Sequence, residues 1–290
     1  MSRPFHVTDA HRMGLRNGRL RGADLWAPFR GVRSLAPVDT LRELAAAYAA
    51  KMTVVQCFSH TTAAAIWGLP LPRAREREAL VHVSTTSGHA PTGSNVRGHR
   101  VRRLDAVVRD GLSVTSPART WLDLASLLTV PELVVVGDAL LAASLCTPDE
   151  LLSQVESNPG RRGLRSLKAA LVLVREGVDS PMETLLRLLL IGNGLPEPIV
   201  NRRYWAPDGS YLGRVDLSYP QWRIAIEYEG DGHRTDIEQF NRDIRRRERF
   251  ESADWSVVRV AREGVLRYPR ETLGIIRRRI LLRSGAVAPA

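Results

Sequence analysis

Cysteine is almost missing from this chain. Cys57 and Cys146 are the only two in 290 residues, and they stand far apart without paired spacing. They indicate neither a disulfide framework nor a zinc site. Lysine is as scarce, with only Lys51 and Lys168 against 40 arginines. A mutational bias toward GC-rich codons produces that imbalance without any functional demand. Long apolar runs are lacking too: stretches such as LVVVGDALLAAS are interrupted by charge well short of a membrane span. The opening MSRPFHVTDAHR has no signal-peptide apolar core. Internal repeats, heptad arrays and low-complexity segments are absent as well. A soluble protein of the reducing cytoplasm is expected.

What is present is apolar residue enough for two cores, at 44% hydrophobic content, and a formal charge of +11. Such a charge favours a polyanionic partner, nucleic acid first, because each neutralised phosphate releases counterions. The breaks SNPGRRG (157–163) and GVDSP (177–181) suggest three segments: 1–60, 61–177 and 178–290. Short helices followed by the ribbon-like FRGVRSL, in which Arg30 and Arg33 flank a glycine, suit a small winged-helix unit in the first. The second reads as mixed strand and helix. LVHVSTT and NVRGHRVRRL alternate like paired strands, and the arginines of the latter suit either a phosphate-facing surface or a solvated edge. The openings S-P-A-R and T-P-D-E then start helices. The third segment reads helix, hairpin, helix, strand, helix. This is an α/β (α+β) plan with a small mixed sheet.

Within that hairpin, IAIEYEGDG puts Glu227 and Glu229 on one strand face, opposite to Ile224, Ile226 and Tyr228. Asp216 in the preceding VDLSY joins them if the connecting loop has two or four residues, whereas an odd loop turns it away. Carboxylates so close repel one another and need a cation. Oxygen donors suit Mg2+ or Mn2+, which can activate water against a phosphodiester, and His233 beyond the Gly-Asp-Gly turn can move protons. The plainer alternative is that the strand acids are solvated or paired with the arginine-rich helix that follows. In that helix Phe240, Ile244 and Phe250 mark a core face. Asp243 can pair with Arg247, and Arg242, Arg245, Arg246 and Arg249 cover the remainder. Glu183 completes a capping box in S-P-M-E, which by itself accounts for it.

The order helix Glu, strand Asp, strand E-x-E-G, His, D-x-x-R and W-x-V-x-R resembles the very-short-patch-repair-like endonucleases grouped as domain of unknown function 559, in the PD-(D/E)XK superfamily. The similarity runs from about Ser180 to Ile280. It implies a restriction-endonuclease-like fold and Mg2+-dependent DNA cleavage. Glu183 matches the helix acid, Asp216 and Glu227 the metal-binding strand acids, and His233 the downstream histidine. Asp243 and Arg246 match D-x-x-R, which with Arg242 is expected at the DNA. Glu229 stands where the superfamily's usual lysine would lie, a position to which this family commonly gives an acid. FRGVRSL, SHTTAAAIWGLPLP and DGLSVTSPARTWLDLA are similar to the winged-helix region of abortive-infection type IV antitoxins, which implies DNA contact by Arg30 and Arg33. An alternative function follows from this: a DNA-binding regulator that retains an inactive nuclease fold.

Overall fold

Thr40, Ser116, Thr147 and Ser180 each accept a hydrogen bond from the backbone N–H three residues on, and a helix starts after each. Local capping chemistry thus sets four of the helix starts. The computed structural model describes residues 4–230 and 237–285, with side chains from 244 onward in the second stretch. The chain divides into two units, Met1–Leu173 and Val174–Ala290.

In the N-terminal unit β1 (Phe5–His6) leads through α1 (Val7–Arg12) and α2 (Asn17–Leu20) to β2 (Val32–Arg33), with which it pairs antiparallel. Gly31 makes the turn into β2 at φ +81°, where an added Cβ would come within 2.8 Å of the His6 ring. The FRGVRSL segment therefore supplies a single two-residue strand. After α3 (Leu41–Ala49) come β3 (Gln56–Phe58), α4 (His60–Trp67), α5 (Arg73–Glu76), β4 (Val81–Thr85), β5 (Thr92–Gly93), β6 (Val96–Arg100), β7 (Ala106–Arg109) and β8 (Leu112–Thr115). Their six strands form one mixed sheet in the order β5-β6-β4-β3-β8-β7.

LVHVSTT and NVRGHRVRRL do pair, as β4 and β6, in parallel from Val81↔Val96 to Thr85↔Arg100. The pairing makes β6 an interior strand, because β5 covers its other side. Neither β3 nor the β7–β8 hairpin was expected, since runs of three or four residues are too short to show alternation. Val81 and Val83 enter an apolar core with Phe29, Val32, Leu44, Tyr48, Phe58 and Val114. His82 and Ser84, on the other face of β4, are buried as well. The helices α6 (Pro117–Leu124), α7 (Val130–Ala142), α8 (Pro148–Glu156) and α9 (Leu164–Leu173) complete the unit.

The C-terminal unit runs α10 (Pro181–Gly192), β9 (Ile199–Trp205), β10 (Tyr211–Tyr219), β11 (Ile224–Glu229), α11 (Ile237–Ser252), β12 (Ser256–Ala261), α12 (Arg262–Leu266) and α13 (Pro269–Arg283). Its four strands lie in the order β12-β11-β10-β9, antiparallel across β9–β10–β11 and parallel between β11 and β12. This is the small mixed sheet expected, with β9 as an addition. IVNRRYW hides its strand character because Asn201–Arg203 interrupt the apolar alternation, which an edge strand tolerates.

Both sheet faces are covered by helices. Leu186 and Leu190 of α10, Val265 of α12, and Leu273 and Ile276 of α13 pack on Leu217, Tyr219, Ile224, Ile226, Val258 and Val260. Phe250 of α11 packs on Leu212, Val215 and Ala225 from the opposite side. The core face expected for α11 needs correction at Ile244, which is 41% exposed, while Phe250 is fully buried. Two arginines of the helix reach β10, half-buried Arg246 donating to the Arg214 carbonyl at 3.3 Å and exposed Arg249 to that of Leu212 at 3.2 Å. Gly213 permits this approach, since a Cβ there would stand 3.0 Å from Phe250 and 3.1 Å from Arg246. The side chain of Phe240 lies outside the described residues. Among the described residues no helix is long and apolar enough to cross a membrane.

Candidate active site: carboxylates of the C-terminal unit

The loop between β10 and β11 has four residues, closed by the pair Tyr219↔Ile224. Pro220–Trp222 make one 3-10 turn, and Arg223 at φ +49° returns the chain. The even count sets the register. Ser218 faces Ala225 and Leu217 faces Ile226, so one step further Asp216 stands opposite Glu227 on their shared face.

Asp216 is half-buried, and one of its oxygens accepts a hydrogen bond from the backbone N–H of Tyr228 at 2.8 Å. Burial pushes its carboxyl pKa up, the Tyr228 N–H opposes this, and the Glu227 carboxylate raises it further. Arg246 and Arg214 pull in the other direction without cancelling the rise.

Glu183 shows what a capping box does when it is buried. Ser180 accepts from the Glu183 N–H at 3.2 Å, as the S-P-M-E spacing predicts. The Glu183 carboxylate, however, accepts from the Asp179 N–H at 3.2 Å and from the Asn201 side-chain amide at 2.8 Å. In T-P-D-E, by contrast, Glu150 is exposed and closes directly on the Thr147 N–H at 2.8 Å. Capping thus explains Glu150 completely and Glu183 only in part. Glu183 is 7% exposed, and its pKa is raised by burial, which the hydrogen bonds of Asn201 and Ser180 oppose and the charge of Asp216 reinforces.

Sequence reasoning missed Asn201. It sits at φ +48° between the pairs Arg202↔Val215 and Val200↔Leu217, where it interrupts the β9–β10 ladder opposite Asp216. Asparagine tolerates this left-handed conformation better than most residues. The same side chain accepts from Arg214 at 3.2 Å, and Arg214 is itself ion-paired with Asp179. An asparagine in a polar run at a strand edge gives no signal of its own in sequence.

Arginines meet the two β11 glutamates. Arg246 of α11 binds Glu227 at 2.7 Å, with the Glu227 side chain only 13% exposed. Arg259 of β12 pairs with Glu229, where both side chains are more open to solvent. Arg247 pairs with Glu251 at 2.7 Å. His233 lies outside the described residues, as do the side chains of Arg242 and Asp243. In the N-terminal unit Arg33 is committed to its own surroundings, donating to the Leu20 carbonyl at 2.7 Å and the Val32 carbonyl at 2.9 Å, while Arg30 is exposed.

Glu183, Asp216 and Glu227 offer the hard oxygen donors that Mg2+ or Mn2+ takes. The raised pKa values of Asp216 and Glu183 reflect burial and crowded negative charge, which a cation would relieve. Among the described residues these carboxylates do not gather three oxygens within 4.8 Å of one another. The donor set fits such an ion, and closing on it requires side-chain movement.

No family model matches this chain. No solved structure matches it either. Two curated relatives, the uncharacterized proteins MT2308 and Rv2248 from two strains of Mycobacterium tuberculosis, are each 29% identical to it over 172 residues. The match takes in 59% of this chain, which spans 61% of each relative's length. Their names assign no activity.

Proposed function

We propose that the protein is a metal-dependent DNA endonuclease. Its C-terminal unit would have a restriction-endonuclease-like fold, and a winged-helix-like element near the N-terminus would contact DNA through exposed Arg30. The observation that carries this reading is the hairpin register that puts Asp216 opposite Glu227, with buried Glu183 electrostatically coupled to Asp216. Asp216 and Glu227 would hold Mg2+ or Mn2+, and Glu183 and Glu229 would assist ligation or orient water. The ion supplies Lewis-acid stabilisation to the phosphodiester and acidifies bound water. The Tyr228 N–H fixes the Asp216 carboxylate in place. His233 transfers protons, a role assigned from the sequence pattern alone. Arg246 can exchange Glu227 for a phosphate oxygen, and Arg242 lies on the same helix.

The test is incubation of plasmid, single-stranded and mismatched duplex DNA with Mg2+ or Mn2+, comparing the wild type with Glu227→Ala. Cutting by the wild type that the variant loses supports the reading. Equal cutting by both, or by neither, overturns it.

A second reading has one observation in its favour. Arg246 pairs with Glu227 and Arg259 with Glu229. A DNA-binding regulator with an inactive nuclease fold would keep these pairs permanently. It would bind DNA in a salt-sensitive manner and cut none under any metal.

A further inference from the structure

Three of the seven histidines meet inside the N-terminal unit, and the nuclease reading uses none of them. His60 opens α4, His82 is on β4 and His99 on β6. Two of them are almost wholly enclosed, at 5% and 1% exposure, and His99 is half-buried. Their rings stack, with centroids 3.8 Å apart for His60 and His99 and 5.1 Å for the other two pairs. One ring nitrogen from each lies within 4.8 Å of the other two. We infer that His60, His82 and His99 form a binding site for a divalent transition-metal ion of the zinc class.

The fold builds this convergence deliberately. In the β4–β6 ladder His82 pairs with Arg97 and Ser84 with His99, so His82, Ser84 and His99 share the sheet face opposite Val81 and Val83. α4 is pinned to that strand at its first turn. The His82 N–H donates to Thr62 Oγ1 at 2.8 Å, and the Ser59 N–H donates to the His82 carbonyl at 3.1 Å. His60 holds its place with a left-handed backbone at φ +52°, a conformation strained in a non-glycine residue. Ser84 Oγ, directly across from His99, is buried with no hydrogen-bond partner among the described residues.

An apolar filling would satisfy this space at lower cost than three imidazoles. His82 Nδ1 and His99 Nε2 face each other at 2.9 Å and can share only one proton. Burial holds all three rings below the usual histidine range, His82 at about 3 and His99 at about 4, with the neighbouring histidines and arginines adding to the effect. Binding an ion requires the tautomers in which the ligating nitrogens carry no hydrogen. Imidazole nitrogens suit zinc, copper and nickel and do not suit magnesium. A tetrahedral ion at 2.0–2.1 Å from each nitrogen needs them about 3.3 Å apart. The broad torsion of a histidine ring about its Cβ–Cγ bond allows the necessary turning. Arg161, which acts on both His60 and His99, is ion-paired with buried Asp123, so its charge is compensated there. Three protein ligands leave a fourth position for water or an anion.

The full chain, freed of metal by chelation and dialysed, is titrated with Co2+ alone and then with Zn2+. One equivalent of Co2+ should give the intense visible absorption of a tetrahedral site, which Zn2+ abolishes and excess Mg2+ leaves unchanged. His99→Gln, at the most accessible ligand, should lower Co2+ affinity at least tenfold while circular dichroism is unchanged. Glu227→Ala should bind as the wild type does, which separates this site from the carboxylates. Absence of the tetrahedral spectrum in the wild type, or full affinity in a folded His99→Gln, overturns the inference. If His99→Gln does not fold, the wild-type spectrum with and without histidine acylation by diethyl pyrocarbonate decides, since bound Zn2+ should protect His60, His82 and His99 from the reagent.

Discussion

The carboxylates of the C-terminal unit and the imidazoles of the N-terminal unit are both polar clusters on a sheet face, and they relieve the cost of burial in opposite ways. Glu227 and Glu229 take arginine partners, while Asp216 and Glu183 are pushed toward the protonated form. Among the described residues no carboxylate lowers the cost of charging His60, His82 and His99, and burial pushes them toward the neutral form. A group that can become neutral within the physiological range can be enclosed without a counterion. An acid with a lower intrinsic pKa needs a cation or an outlet to solvent.

The largest effect should come from the charged cluster. If its arginines are substitutes for a metal, Glu227→Ala lowers Mg2+-dependent cleavage by about 10²-fold or more, in line with the loss of a group that stabilises transition-state charge, and leaves the melting temperature close to the wild type. The comparison breaks if the variant cuts normally.

Next comes acid stability, where the two clusters should differ in sign. The histidines have lowered pKa values in the folded state, so the unfolded chain binds protons that the native unit refuses. Stability of the N-terminal unit is therefore complete above pH 6.5 and lost as the pH falls toward about 3–4, by up to about 1.4 kcal/mol per pH unit for each ring. Asp216 and Glu183 are raised, so their contribution is fully present below the ordinary carboxylate pKa and lost as the pH rises through their folded values. Hydrogen exchange at pH 5 and pH 7, corrected for intrinsic rates, should show residues 81–100 losing protection on acidification while residues 181–192 and 211–229 keep or gain it. Parallel losses in both units would contradict the opposed signs.

Smaller effects sharpen the picture at single residues. Asn201→Gly keeps the left-handed backbone but removes the amide that Glu183 accepts from, and should cost about 1–3 kcal/mol in denaturant melts while moving the Glu183 pKa further up. Arg259→Ala removes an exposed partner of Glu229 and should cost no more than about 1 kcal/mol. A larger loss at Arg259 than at Asn201 would invert the ranking of buried and exposed partners.

Legibility in sequence followed chain distance. The capped starts at Ser116, Thr147 and Ser180 could be read because each involves residues three apart. Glu227 and Glu229 could be placed on one face because a strand repeats every two residues. β9 escaped because its apolar alternation fails at Asn201–Arg203, and β3 because it has three residues. Ile244 was misplaced because helical periodicity cannot tell an isoleucine facing solvent from one facing a sheet whose carbonyls bind Arg246 and Arg249.

By itself the sequence determined the capped helix starts, the faces of β11, and two alternatives for Asp216, beside Glu227 or turned away. Only the tertiary structure chose between these, through a four-residue loop whose even count puts Asp216 opposite Glu227. It likewise decided that Glu183 reaches Asn201, that Arg246 reaches Glu227, and that three histidines from separate elements share one enclosure. The physical reason is range. Caps and alternation depend on neighbouring torsions, whereas register and side-chain convergence depend on chain closures that composition and periodicity do not encode.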